Sequence, residues 1–320
     1  MQKYEWDVVI IGGGSAGLSA AFMLGRARRR VQIVDGAQPR NRFAAHMHGV
    51  IGRDGYSPLE FLAEGRAELE AYGVVVRTGL ATAVEPITGE ETGTGFTVTT
   101  DDGTTVTTRR VLVATGIRDE LPAIDGLTEQ WGRGVVVCPY CDGWESRDRS
   151  IGVIATGEMG VHQAQMLRQW TPDVTYFTQG TFPPSDDDRR GLVARGIRID
   201  ERPIARVVSD GDDLRAVELS DGESVTVDRI FTGPRFVPLD GVLVALGAET
   251  TEMMGTNWTT TDAMGQTSIP GIWAAGNLAS PAGGSVTVAM GLGTTAGASI
   301  NANLMAEDIA IAVAAGGTHE

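Results

Sequence analysis

The sequence predicts an α/β protein made of two βαβ-type domains, one inserted into the other, and three observations predict it. A β-branched run, Val8-Val9-Ile10-Ile11, passes straight into Gly12-Gly13-Gly14-Ser15-Ala16-Gly17 and a helical stretch. A second strand–turn–helix–strand series begins at Ser150, in the middle of the chain. Similar small-residue turns close apolar runs at Ala114-Thr115-Gly116 and, near the other end, at Ala274-Ala275-Gly276-Asn277. With 320 residues the chain has room for two cores, since domains run to ~100–200 residues.

Val8–Ile11 shows no polar alternation, as expected for a strand buried on both faces of a parallel sheet. In the turn that follows, Gly12 permits the tight bend, Gly14 lets backbone approach a pyrophosphate, and Gly17 lets helix and strand pack closely. The helix runs from Leu18 to Ala27, and a second strand, Val31-Gln32-Ile33-Val34, ends in Asp35. A pyrophosphate would sit on the helix N-terminus, where unpaired N–H groups favour an anion. This places Ser15 and Ala16 with the glycines among the cofactor-binding residues. Asp35, eighteen residues after Gly17, is placed to accept hydrogen bonds from a ribose diol. The dinucleotide fingerprint is thus present in its required context, and the fold class becomes α/β with two Rossmann-like domains.

Pro39-Arg40-Asn41-Arg42 brings positive charge past this turn, with Arg42 a candidate phosphate contact against the plain reading of a solvated loop. His46 and His48 follow, and for each a structural loop role competes with a functional one. Ser57 to Tyr72 reads as an amphipathic helix and Gly73 to Arg77 as a strand. Phe96–Thr100 and Thr104–Thr108 flank Asp101-Asp102-Gly103, a hairpin signal. Arg109–Val113 then reads as a third core strand. In the middle region Ser150–Ile154 is a strand, Ala155–Gly160 a turn, Val161–Trp170 a helix and Val174–Phe177 a strand. Gly271–Asn277 and a Gly- and Ala-rich helical run, Ser285–Leu304, match the opening elements. The crossings fall near residues 118 and 228, giving 1–117 with 228–320 as one domain and 118–227 as the insert.

Composition narrows the function. A net charge of −15 argues against nucleic acid or an anionic membrane surface as partner. No stretch approaches the roughly 18 apolar residues of a membrane span. The segment Met1–Asp7 has neither the length nor the cleavage site of a signal peptide. With two cysteines and no export signal, the expected location is cytoplasmic.

Both cysteines lie in Cys138-Pro139-Tyr140-Cys141-Asp142-Gly143. A pair at that spacing closes a disulfide within one turn or forms half of a metal site. No second pair exists, and the histidines at 46, 48, 162 and 319 show no ligand spacing against 138 and 141, so no metal is assigned. A redox pair remains. Pro139 suits a first helical turn because it has no N–H to satisfy, and a helix N-terminus would lower a thiol pKa. The pair itself does not fix the direction of electron flow, because proteins with this motif span ~150 mV, about 7 kcal/mol for two electrons.

Taken in order, Gly12–Gly17, Ala114-Thr115-Gly116, Cys138–Gly143 and Gly271–Asn277 make the chain resemble the low-molecular-weight thioredoxin reductase family of FAD-dependent pyridine nucleotide-disulfide oxidoreductases over essentially its whole length. The resemblance implies an FAD domain built from both chain ends and an inserted domain carrying the redox cysteines. It implies that Gly12–Gly17 and Asp35 hold the ADP half of FAD. Thr115 and Gly116 would join that site, with Gly276 and Asn277 near the flavin phosphate and ribityl chain. It also implies a homodimer. Asn277 stands where the family has Asp, and the Gln usual near Ser285 is missing.

The insert departs further. Its turn reads Ala155-Thr156-Gly157-Glu158-Met159-Gly160, with the first glycine lost and Glu158 where a pyrophosphate would approach. The second strand ends Phe177-Thr178-Gln179-Gly180, with no arginine for NADPH and no acid for NADH. That pattern resembles the holomycin- and gliotoxin-type flavin dithiol oxidases, which pass electrons from a dithiol through Cys-x-x-Cys and FAD to oxygen. In that branch His commonly follows the second cysteine, whereas Asp142 stands here, as in the reductases. By family resemblance Cys141 faces the flavin and Cys138 meets substrate. Asp142 is the candidate proton carrier, against the plain reading of a helix-start acid that only caps, and His48, less so His46, would assist if its loop folds over the flavin. The expectation is a dithiol oxidase forming a disulfide and hydrogen peroxide, acting on a small-molecule dithiol. The alternatives are a reductase of protein disulfides fed by NAD(P)H, ferredoxin or another carrier, and a non-catalytic flavoprotein redox sensor.

Overall fold

The computed structural model describes residues 4–87, 95–280 and 284–316. The chain divides into two compact units. Unit 1 comprises residues 1–42, 58–118 and 236–320, and unit 2 comprises residues 43–57 and 119–235.

Unit 1 begins with strand β1 (Trp6–Ile11), helix α1 (Ser15–Arg26) and strand β2 (Val31–Asp35). After helix α2 (Pro58–Glu70) come β3 (Val75–Thr78), β4 (Ala81–Ile87), β5 (Gly95–Thr100) and β6 (Thr105–Val113). The sheet order is β3-β2-β1-β6-β5-β4. β1 lies parallel to both β2 and β6, with Ile10 opposite Ile33 on one side and Leu112 on the other. Val8, Val9 and Ile10 are wholly buried, the reason this run carries no polar alternation. The hairpin strand and the core strand expected at Thr104–Thr108 and Arg109–Val113 are one continuous strand, β6. Its first half pairs antiparallel with β5 and its second half runs parallel to β1, so one strand changes partners without a break.

The first crossing runs through β7 (Ile117–Glu120). Unit 2 then contains β8 (Val135–Val136), the short helix α3 (Pro139–Asp142), β9 (Ile151–Ile154), α4 (Met159–Leu167), β10 (Val174–Phe177), α5 (Asp186–Ala194) and β11 (Arg198–Asp200). An antiparallel group, β12 (Ile204–Asp210), β13 (Asp213–Leu219) and β14 (Ser224–Thr226), precedes β15 (Arg229–Thr232). The parallel sheet has the order β11-β10-β9-β15-β8.

The second crossing lies at Arg235–Phe236, in β16 (Arg235–Pro238), and not near 228. The reason is β15, which sits parallel to β9 with Ile230 opposite Gly152 and Phe231 opposite Val153. A short apolar strand looks the same in sequence whichever sheet receives it. Residues 43–57 were likewise expected in the first domain and belong to unit 2.

The return to unit 1 supplies α6 (Gly241–Ala245), β17 (Thr250–Met253), β18 (Thr256–Thr259), β19 (Ile272–Ala274) and a long helix, α7 (Val286–Gly316). β19 completes the main sheet beside β6, with Trp273 opposite Leu112. α7 runs twelve residues past the expected end at Leu304. It packs on α1, where Gly293 faces the Ala16 carbonyl at a separation that leaves no room for a Cβ. No helix among the described residues is long and apolar enough to cross a membrane.

Candidate active site

In unit 1 the β1–α1 turn forms a cradle. Gly12 has φ +107° and packs against the Ala114 carbonyl so closely that any side chain would collide with it. Gly17 lies equally close to the Gly12 carbonyl. Gly14, at the N-cap of α1, faces open space, and no side chain caps the helix. An uncapped helix N-terminus with room in front of it suits the phosphates of a dinucleotide.

Asp35 closes the far side of the cradle at the end of β2. Its Oδ1 accepts the Gly13 N–H at 3.1 Å, and its Oδ2 accepts from Arg66 of α2 at 2.7 Å. Arg66 has no motif around it in the sequence, and only the packing of α2 brings it to Asp35. Gly276, at φ +76°, stands against Ala16, where an added Cβ would lie 2.9 Å from the Ala16 Cβ. The fold therefore brings the Gly276–Asn277 turn to the start of α1. The Thr115 hydroxyl donates to the Leu239 carbonyl at 2.7 Å, and the Gly116 carbonyl accepts the Leu239 N–H at 3.0 Å. These two residues thus anchor the returning chain. Arg42 donates to the Pro39 carbonyl at 3.1 Å and holds its own turn.

The matching turn in unit 2 is built differently. Ala155 is buried and does not take a positive φ. Glu158, exposed, occupies the N-cap of α4 without capping it. A carboxylate there opposes a second anion at the helix N-terminus. Past β10, the Gln179 side chain accepts the Ile204 N–H at 3.0 Å and is committed to the fold.

Also in unit 2, Cys138 and Cys141 form a disulfide with Cα atoms 5.2 Å apart, within the range a bridge requires. Cys138 is the N-cap of α3 and Pro139 its first residue. Helical hydrogen bonding continues beyond Asp142, whose carbonyl accepts the Ser146 N–H at 3.0 Å and the Ser146 hydroxyl at 2.6 Å. Tyr140 between the cysteines is 80% exposed and Trp144 one turn later is 65% exposed, so both present aromatic surface beside the disulfide. Arg147 lies over the Trp144 ring at 4.4 Å.

Burial pushes the Asp142 carboxyl up to about 6, with Glu145 adding to the rise and Arg229 and His48 opposing it. His48 reaches this turn from the 43–57 segment, its Nε2 3.5 Å from Glu145 Oε1. His46 instead has Nδ1 3.0 Å from the Gly55 carbonyl and serves its own loop. Glu145 could have been flagged in the sequence, three residues after Asp142 on a helical turn. Arg229 and the approach of His48 could not, since each arrives from a distant segment.

A dinucleotide cradle in one unit and a Cys-x-x-Cys disulfide with a neutral-range carboxyl in the other define a disulfide oxidoreductase of the two-domain nucleotide-binding class. The chain belongs to the pyridine nucleotide-disulphide oxidoreductase family, whose profile matches residues 6–293. Members of this family are FAD-binding oxidoreductases, and the cradle at Gly12–Gly17 with Asp35 fits that cofactor. The protein is a thioredoxin-reductase-like flavin disulfide oxidoreductase. It is similar to thioredoxin reductase sirT of Leptosphaeria maculans, with 31% identity over 319 residues, covering 95% of this chain and 96% of that one. Among solved structures it resembles that of HlmI, with 44% identity and a TM-score of 0.92, covering 98% and 96% of the two chains. It also resembles an oxidoreductase from Agrobacterium tumefaciens, with 40% identity and a TM-score of 0.85, covering 94% and 98%.

Proposed function

We propose that the protein is an FAD-dependent dithiol oxidase, converting a small-molecule dithiol to its disulfide with oxygen as acceptor and hydrogen peroxide as product. The observation that carries this reading is the nucleotide-facing lining of unit 2, where Ala155 and Glu158 in the β9–α4 turn and Gln179 past β10 replace what a pyridine nucleotide requires. A carboxylate beside a diphosphate in a partly desolvated site costs on the order of kilocalories per mole. Electrons then enter from the dithiol.

Gly12, Gly14, Ser15, Ala16, Gly17 and Asp35 would hold the adenosine half of FAD. Gly276 and Asn277 would hold its flavin side, with Thr115, Gly116 and Arg42 at the rim. When bound, FAD supplies a two-electron acceptor that oxygen regenerates. The chain's own residues perform the exchange. One substrate thiolate attacks Cys138 Sγ, breaking the Cys138–Cys141 bond and releasing Cys141 as thiolate. Asp142, whose carboxyl is raised to about 6, takes the proton of the attacking substrate thiol and passes it to the released Cys141. The second substrate thiolate attacks the substrate sulfur of the mixed disulfide, releasing Cys138 and the oxidised product. The substrate loses two electrons and the cysteine pair gains them.

Homodimerisation and a cytoplasmic setting are part of the same proposal. Met305, Ile309 and Val313 recur every four residues on α7 and are exposed, an apolar stripe consistent with a subunit contact. Stopped-flow reduction tests the oxidase reading. Under anaerobic conditions dithiothreitol should bleach the flavin rapidly, NADPH and NADH should not, and air should restore it with one peroxide per dithiol. Rapid bleaching by either nicotinamide would sink it. The relative named thioredoxin reductase favours a second reading, reduction of a protein disulfide. Turnover of thioredoxin with a nicotinamide or ferredoxin donor would select that one.

A further inference from the structure

His48 is held between two carboxylates of unit 2. On one side its Nδ1 is 3.3 Å from Asp54 Oδ1, an oxygen that also accepts the Gly49 N–H at 3.1 Å. On the other its Nε2 is 3.5 Å from Glu145 Oε1. The Gly49 N–H and His48 hold the Asp54 carboxyl below the usual carboxylate range, so the far side of this clamp stays ionised at neutral pH. The ring cannot turn from the redox turn without losing a contact at both nitrogens.

Among the described residues, Glu145 from the redox turn, His48 from the 43–57 segment and Arg229 from β15 act on Asp142, while Arg149 and Asp228 act on Arg229 and Asp54 on His48. Arg229 is further tied by a hydrogen bond to the Arg133 carbonyl. His48 and Glu145 lie against each other and act on Asp142 with opposite sign. A cation favours the ionised carboxyl and a like charge the protonated one, and partial burial strengthens both effects.

We propose that His48 and Glu145 are positioning residues for the Asp142 proton, His48 favouring the carboxylate and Glu145 the acid, with Asp54 fixing His48 in place. The inference rests on Asp142 being the proton carrier of dithiol exchange. Its use is kinetic, since a group balanced between its two forms both takes and returns a proton at working pH.

The test is a pH titration of the Asp142 carboxyl carbon in the holoenzyme by carbon-13 NMR, with Asp142→Asn identifying the resonance. His48→Gln should move the midpoint up and Glu145→Gln should move it down, each by about half a pH unit or more. Glutamine at 145 keeps an oxygen to accept from the ring. Asp54→Asn should move the midpoint up by less than His48→Gln does, and His48→Asn serves if His48→Gln does not fold. Shifts of the same sign, or a midpoint unmoved by either His48 or Glu145 substitution, overturn the proposal. Peroxide production by the same proteins reads the oxidase function separately. Opposed shifts without peroxide would remove that function and leave this inference, and peroxide without opposed shifts would do the reverse.

Discussion

The β1–α1 turn of unit 1 and the β9–α4 turn of unit 2 have the same plan, strand into turn into helix, and differ where a dinucleotide would touch them. In the first, Gly12 takes φ +107° and Gly14 opens onto an uncapped helix. In the second, Ala155 takes an ordinary conformation and Glu158 stands at the helix start. Packing between strand and helix survives in both, because Gly17 and Gly160 each sit at a close approach. Both scaffolds need the third glycine, and unit 1 also needs Gly12 against the Ala114 carbonyl, whereas the open position at Gly14 and an uncharged helix start serve the ligand. A turn of this kind can change at its ligand-facing positions and keep its fold.

Replacing a cysteine separates the two units most sharply. Cys138→Ser or Cys141→Ser should lower dithiol turnover at least about a thousandfold while the purified protein keeps its flavin absorbance. Loss of flavin from these variants would show that the units do not divide the labour in this way.

The third glycines come next. A Cβ on Gly17 meets the Gly12 backbone, which cannot yield, so Gly17→Ala should leave little folded, flavin-loaded protein. At Gly160 the nearest atoms are the Ala155 Cβ and a Tyr176 ring carbon, both at 3.2 Å. Gly160→Ala should therefore cost about 1–3 kcal/mol, read as a modest fall in melting temperature with flavin retained. Equal losses at both positions would break the comparison.

Asp35→Asn keeps the acceptor for the Gly13 N–H and removes the charge facing Arg66. Affinity of the apoprotein for FAD, followed by flavin fluorescence, should fall roughly ten- to a hundredfold. In unit 2 the opposite change should gain function. Ala155→Gly with Glu158→Ser should raise nicotinamide affinity about tenfold, measured by anaerobic flavin reduction. No gain would mean that the turn is not what excludes the nucleotide.

The last effect is on stability alone and concerns Asp142, whose carboxyl is raised by burial from 3.8 to about 6. A raised acid costs the folded state nothing below the unfolded value, and the cost grows from about pH 4 to pH 6 and then stays. Asp142→Asn should thus match the wild type in thermal stability at pH 4 and exceed it at pH 8, by at most about 3 kcal/mol. An equal stability difference at both pH values would deny the burial cost.

Much was legible along the chain because it is local. The fingerprint at Gly12–Gly17, Asp35, the departures at Ala155 and Glu158, and the Cys138–Gly143 turn are each set by backbone geometry or chemistry within a few residues. They determined the fold class, the cofactor and the kind of reaction. What the sequence could not supply is the company these groups keep. Arg66 on Asp35, His48 on Glu145, Arg229 beside Asp142, and β15 in the inserted sheet all join segments far apart in the chain. Only the tertiary structure decided these, because the energy that selects them comes from burial and charge shared between distant residues, and no local pattern records it.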